Sequence, residues 1–97
     1  MEKQITIYTL KNCPICKFLK GELEGRKREY NEIEIEDNNK IGDNLEYKFG
    51  TTTYPIFQIS DRDTVLTFLR ETDLESPKNV IIFDVNNIIN ILDQYEI

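Results

Sequence analysis

Residues 4–20 read QITIYTLKNCPICKFLK, and this stretch decides how the chain is understood. Its first part, Gln4–Leu10, is β-branched and aromatic, the composition of a strand. Asn12, Cys13 and Pro14 follow. Proline favours the first position of a helix, so Cys13 falls at or near an N-cap. Ile15, Phe18, Leu19 and Leu23 then recur at helical spacing, which predicts a helix from Pro14 to about Glu24. Cys13 and Cys16 are the only two cysteines, and the chain has no histidine.

Three chemistries compete for a C-P-I-C tetrapeptide. A structural zinc site wants four ligands, normally Cys or His, and two cysteines without histidine cannot close one within this chain. A structural disulfide across so short a loop removes little entropy from the unfolded state, because that gain grows with loop length. The third reading is a redox centre. At a helix start Cys13 would face unpaired backbone N–H groups and the positive end of the helix dipole, both of which favour the thiolate. Lys11 and Lys17 add positive potential. A free cysteine titrates near ~8.5, and such positions commonly bring it to about 7 or below. Cys16, one turn further in, is placed to resolve a mixed disulfide formed on Cys13.

Downstream, REYNEIEIED (28–37) alternates Ile33 and Ile35 with Glu32, Glu34 and Glu36, a half-buried strand at a sheet edge, with charge on its open face. The order so far is β-α-β, the crossover unit of a parallel pair. Residues 38–49 carry Ile41, Leu45 and Phe49 at spacing four, which predicts a short helix weakened by Gly42. FGTTTYP is a loop and YPIFQIS a strand. DRD (61–63) reads as a three-residue turn into an antiparallel TVLTFL, and Asp61 and Asp63 there as turn formers. RETDLESPKN is a loop, and NVIIFD a further strand. In VNNIINILDQYEI, Ile88, Ile91, Leu92 and Tyr95 define an amphipathic helix capped by Asn86 or Asn87. Tyr8, Tyr47 and Phe57 read as packing residues, with Tyr8 close enough to flank the cysteines. Arg26, Lys27 and Arg28 read as a solvated turn.

The totals set limits. Ninety-seven residues are expected to form a single domain, 1–97. At 39% hydrophobic and 10% aromatic, the composition suits a packed fold rather than disorder. No apolar run approaches the roughly 20 residues of a membrane span. The start of the chain lacks the apolar stretch and cleavage site of a secretory signal. The expectation is a cytoplasmic, reducing location with no membrane partner. Of the net charge of −6, residues 1–28 carry +4 and residues 29–97 carry −10. So acidic a remainder argues against nucleic acid as a partner, because phosphates must be neutralised by Lys or Arg.

Residues 7–20, IYTLKNCPICKFLK, resemble the first strand, C-P-x-C loop and first helix of glutaredoxins, and FGTTTYPIFQI resembles that family's Gly followed by Thr-x-Pro and a strand. The two together are far more specific than either alone, and the resemblance covers about residues 4–60, with a looser match in the last helix. It implies a thioredoxin-like α/β fold, a central mixed four-stranded sheet with flanking helices; this chain's longer segment at 61–84 adds to that either an extra strand, the favoured reading, or an extended hairpin. It implies a monomeric thiol–disulfide oxidoreductase with Cys13 and Cys16 as catalytic residues. Its reductant would be glutathione, with no metal required, and its clients disulfide-containing proteins such as ribonucleotide reductase. Pro55 would be cis, and the Tyr54 backbone would pair with the cysteinyl part of glutathione. Lys11, Pro14, Ile15 and Thr53 would lie at the same face. Three departures stand out. Ile15 replaces the usual aromatic, Leu10 stands where a lysine is usual, and the Gly-Gly before the γ-glutamyl site is missing. Asp84, Asn86 or Asn87 would supply part of that last contact. The departures leave two alternatives: an electron donor recharged by thioredoxin reductase, and a non-enzymatic thioredoxin-fold module that binds a partner or bridges an iron–sulfur cluster.

Overall fold

Alternating burial in β1 (Gln4–Thr9) puts Ile5, Ile7 and Thr9 inside, and the sheet grows outward from this strand. The computed structural model describes residues 3–37, 39–51, 53–75 and 78–97. The loop readings at Thr52, Ser76 and Pro77 and the helix start at Asn38 lie outside these. The remaining elements are α1 (Pro14–Gly25), β2 (Asn31–Glu34), α2 (Asn39–Phe49), β3 (Ile56–Asp61), β4 (Thr64–Leu69), β5 (Val80–Ile82) and α3 (Ile88–Gln94), with single 3₁₀ turns before α2 and α3. The sheet order is β2-β1-β3-β4-β5. β1 runs parallel to β2, the middle pairs are antiparallel, and β5 returns parallel to β4.

Register builds the first core. Ile5 faces Ile59 and Ile7 faces Phe57. Phe57 in turn faces Phe68, and Ile59 faces Leu66. Direct cross-strand partners, and residues two apart on one strand, share a face, so these residues form one apolar surface. Leu19 and Leu23 of α1 and Ile88, Ile91 and Leu92 of α3 cover it. Phe57 stacks on Phe68 with ring centroids 4.5 Å apart. On the opposite face Ile56 and Leu69 pack with Ile35, Tyr54, Cys16, and Leu45 and Phe49 of α2. Helices therefore lie on both faces of a mixed sheet, a thioredoxin-like arrangement with an added edge strand.

Several expectations are corrected. The β3–β4 turn has two residues, not three: Asp61 pairs with Thr64, and Arg62 takes φ +60°. Of the two readings of residues 61–84, the added strand holds: β5 pairs parallel with β4. β2 is indeed an edge, but Ile35 has left it for a 3₁₀ turn. Its exposed Glu32 is also engaged: it accepts from Thr9 Oγ1 at 2.8 Å and from Lys20 Nζ at 3.0 Å. Burial alone would raise the Glu32 pKa, but these two hydrogen bonds and the Lys20 charge outweigh it and hold the carboxyl below its ordinary value.

Phe18, placed on the apolar face by spacing, is 44% exposed, and Tyr47 is 92% exposed, so neither is a packing residue. The 26–28 turn is tied down. Arg26 Nη1 donates to Asp93 Oδ1 at 2.7 Å and to the Ile97 carbonyl, and Arg28 donates to the Glu96 carbonyl. Asn87 precedes α3 without a side-chain cap bond. Asp84 caps the turn before it instead, accepting from the Asn86 N–H at 2.9 Å.

Candidate active site

The site begins where β1 ends. Asn12 takes a positive φ of 56°, turning the chain from the strand into the helix. Cys13 is then the N-cap of α1, in extended conformation, with Pro14 at the first helical positions. Proline there costs nothing, since that N–H has no intrahelical partner, and its fixed φ suits the helix. The Cys13 Sγ accepts from the Cys16 N–H at 3.1 Å, and the Cys13 carbonyl accepts from the Lys17 N–H at 3.1 Å. Sulfur thus fills the role that a Ser or Asp oxygen usually takes at an N-cap. The two cysteines are joined as a disulfide with Cα atoms 5.2 Å apart. Cys16 is 1% exposed, whereas Cys13 is only half-buried. One sulfur is open to attack and the other is covered.

The second wall is the segment before β3. The Tyr54–Pro55 peptide bond is cis. Tyr54 and Pro55 are buried, Tyr54 in the same apolar cluster as Cys16, against which Cys13 packs. Burial, then the nearby Glu46 and Asp43 charges, raise the Tyr54 phenol above its ordinary pKa, so it stays protonated. Tyr8 packs against the same cluster and donates to Gln58 Oε1 at 3.3 Å. The Tyr54 carbonyl accepts from Arg70 Nη1 at 2.8 Å. That carbonyl is therefore engaged within the chain and keeps one lone pair for another donor.

The other candidate residues divide into two groups. Pro14 and Ile15 sit on the first turn of α1, Ile15 packed toward the α1/α3 core. The exposed Lys11 has its N–H bound to Glu36 Oε1 at 3.0 Å. Thr53, Asp84 and Asn87 come together with Arg70, Glu71 and Phe83 around an open groove of about 470 Å³. Asn86 is exposed and does not line it. Thr53 Oγ1 donates to Glu71 Oε1 at 2.6 Å, fixing one wall. Arg70 and Glu71 were invisible as site residues, because they look like the start of a loop. Two larger grooves lie at the other end of the sheet, around the β3–β4 turn and the C-terminus, and none of the three is lined by a cysteine. Among the described residues no cluster of three or more acidic, Cys or His side chains is placed to hold a metal, and no helix is long and apolar enough to cross a membrane.

A half-buried sulfur at a helix N-cap, a covered partner one turn further in and a cis-proline segment in the same cluster are the parts of a thiol–disulfide exchange centre. Comparison with known proteins agrees. No curated protein matches the chain. Among solved structures, it resembles the thioredoxin-like protein BC3987 and a point mutant of it at 24% and 23% identity, each with a TM-score of 0.50. These matches cover 55% of this chain and 73% and 72% of theirs. A structure described as that of a malarial protein matches over 100% of both chains, at 14% identity and a TM-score of 0.53. These likenesses bear on the fold. The Glutaredoxin family model matches residues 5–63, which span the C-P-I-C loop and the Tyr54–Pro55 segment. The Cys13–Cys16 pair in this setting supports a thiol–disulfide redox role, and the chain belongs to the glutaredoxin family.

Proposed function

We propose that the protein is a dithiol oxidoreductase that reduces protein disulfides or glutathione mixed disulfides and is itself reduced by glutathione. The observation that carries this is the N-cap position of Cys13. A hydrogen bond to Sγ from a helix N-terminal N–H stabilises the sulfur more as an anion than as a thiol. The Cys13 thiolate attacks the substrate disulfide. A Cys13–substrate S–S bond forms, the substrate S–S bond breaks, and one thiolate leaves and takes a proton. That proton comes from the Cys16 thiol; the resulting Cys16 thiolate attacks the Cys13 sulfur and expels the second substrate thiolate, which solvent protonates, leaving the Cys13–Cys16 disulfide. Two glutathiones then return it to the dithiol and leave as glutathione disulfide. Electrons and protons balance without a metal. A glutathione backbone lying along Tyr54, which precedes β3 and is outside its ladders, would pair with it in strand fashion, using the remaining lone pair of the Tyr54 carbonyl. The same reading takes the protein to be a cytoplasmic monomer with protein clients, ribonucleotide reductase among them.

The test is NADPH-coupled reduction of a disulfide substrate, run with glutathione plus glutathione reductase and, in parallel, with thioredoxin reductase. Turnover in the first system, lost in Cys13→Ser, supports the proposal. Turnover only in the second replaces the electron donor. No turnover in either, with free thiols and an intact fold, overturns the enzymatic reading.

A further inference from the structure

The two edges of the sheet differ. β2 carries Glu32 and Glu34, charges of the kind that keep an open strand from pairing with another chain. β5 is Val80, Ile81 and Ile82, with no charge or proline among them. Among the described residues no strand pairs with its outer side. The Thr67 N–H donates to the Asn79 carbonyl and the Phe83 N–H to the Leu69 carbonyl, both at 2.9 Å. Residues 79 and 83 therefore turn these backbone groups toward β4, and by the two-residue period of a strand so does Ile81. The N–H and C=O of Val80 and Ile82 point the other way, off the edge of the sheet. Side chains alternate too: Ile81 packs toward the α1/α3 core and Val80 toward the α2 cluster. Ile82 shares the face of Val80 and is 51% exposed. Lys78 stands just before this strand and Asp84 just after it, both exposed. Among the described residues Lys78 makes no ion pair. Asp84 uses Oδ1 to accept from the Asn86 N–H, which leaves its other oxygen for a second donor.

We propose that β5 is a self-association edge: two copies of this chain pair their β5 strands antiparallel about a two-fold axis at Ile81, joining two five-stranded sheets into one. In this register Val80 faces the second copy's Ile82, and the pair exchanges two N–H···O bonds, using the groups that point off the edge. Ile81 meets its own counterpart in a non-hydrogen-bonded pair, as it must, because its groups are turned toward β4. The exposed Ile82 gains an apolar neighbour directly opposite. Antiparallel pairing also brings each Lys78 to the end of the seam where the second copy's Asp84 stands, twice by symmetry. Parallel pairing would set Lys78 against Lys78 and Asp84 against Asp84. The charges thus fit a second copy of this chain and select the orientation. A seam three residues long is small, so the dimer is weak and reversible, with a Kd on the order of 0.1 mM. The exchange reaction does not depend on it. The C-P-I-C loop follows β1, which β3 and β4 separate from β5, and the monomer proposed above remains the reacting unit.

The experiment is sedimentation equilibrium of the native chain up to about 1 mM, with amide hydrogen exchange read at low and high concentration. The apparent mass should rise from one chain toward two. Exchange at Val80 and Ile82 should slow with concentration, while exchange along the β2 edge should not change. Ile82→Lys sets a charge opposite the second copy's Val80 at both ends of the seam and should leave a monomer; the exposure of Ile82 lets the single chain accept it. Charge variants test the register. Lys78→Glu alone and Asp84→Lys alone each place like charges together and should weaken self-association about tenfold. An equimolar mixture of these two variants should associate at about native strength, because both ends of the mixed seam then hold opposite charges. The mixture also controls for the lost Asp84 cap, since a misfolded variant would not recover. A native chain that keeps the mass of one copy at about 1 mM overturns the inference and leaves the edge to an extended segment of another protein. So does a dimer that Ile82→Lys leaves intact, one that protects a different edge, or a mixture that associates no more tightly than its components.

Discussion

Gly42→Ala tests whether packing or helix propensity governs α2. Gly42 lies in mid-helix, where alanine is the better helix former by about 1 kcal/mol, so propensity alone predicts stabilisation. The structure predicts the reverse. A Cβ on Gly42 would lie 2.6 Å from Ile35 Cγ2 and 3.8 Å from the Tyr54 hydroxyl. Ile35 is only 8% exposed, sits in the 3₁₀ turn before α2 and packs in the cluster of Leu45, Phe49 and Tyr54. Its β-branched side chain has few rotamers to escape into. Overpacking of this kind costs roughly 1–3 kcal/mol. Set against the propensity gain, the net loss is about 0–2 kcal/mol, or a fall in Tm of up to about 10 °C for a domain of this size. Urea and thermal unfolding of the oxidised protein measure it. A double-mutant cycle with Ile35→Leu isolates the cause, because leucine has no Cγ2 on its Cβ. In that background Gly42→Ala should be neutral or stabilising, with a coupling of about 1–2 kcal/mol. Stabilisation of the native background by about 1 kcal/mol, or an equal effect in both backgrounds, would refute the close approach of Gly42 to Ile35.

Two further outcomes are expected. Thr9→Val removes the hydroxyl that donates to Glu32 and should cost about 0.5–1 kcal/mol at pH 7, a reduced figure because Glu32 is partly solvated. The folded Glu32 pKa is depressed, so its contribution is present above the unfolded value and lost as pH falls through the folded one. The gap between native and variant stability in urea titrations should therefore close on acidification below the ordinary glutamate range, and a gap constant down to acid pH would contradict the Thr9–Glu32 bond. At the start of α3, Asp84→Ala should cost about 1 kcal/mol and Asn87→Ala less than about 0.5 kcal/mol, since only Asp84 makes a capping bond. The opposite order in thermal unfolding would restore Asn87 as the cap.

Legibility in the sequence followed range. The Pro14 start of α1, the Cys13 N-cap and the β-branched composition of β1 are local signals, set by dihedral preference and side-chain shape, and they were readable directly. The Thr53-Tyr54-Pro55 segment was readable through its resemblance to a known pattern. The helical spacing in α1 was also read, but it assigned Phe18 to the buried face, because spacing gives a stripe and not its width. Gly42 looked like a weak point in α2. Its neighbour Ile35 shows that the missing side chain is what lets the helix lie against the preceding turn.

By itself the sequence determined the redox pair, the β-α-β start and the apolar faces of the strands, because each rests on residues within one or two turns or strand periods of each other. Only the tertiary structure decided that Val80–Ile82 returns parallel to β4, that Arg26 joins the end of α1 to the C-terminus, and that Arg70 meets the Tyr54 carbonyl sixteen positions away. Those contacts depend on the register of β3 and β4 and on the path of the segment that follows them. No local propensity encodes that path, because its free energy comes from surfaces that exist only once the sheet has formed.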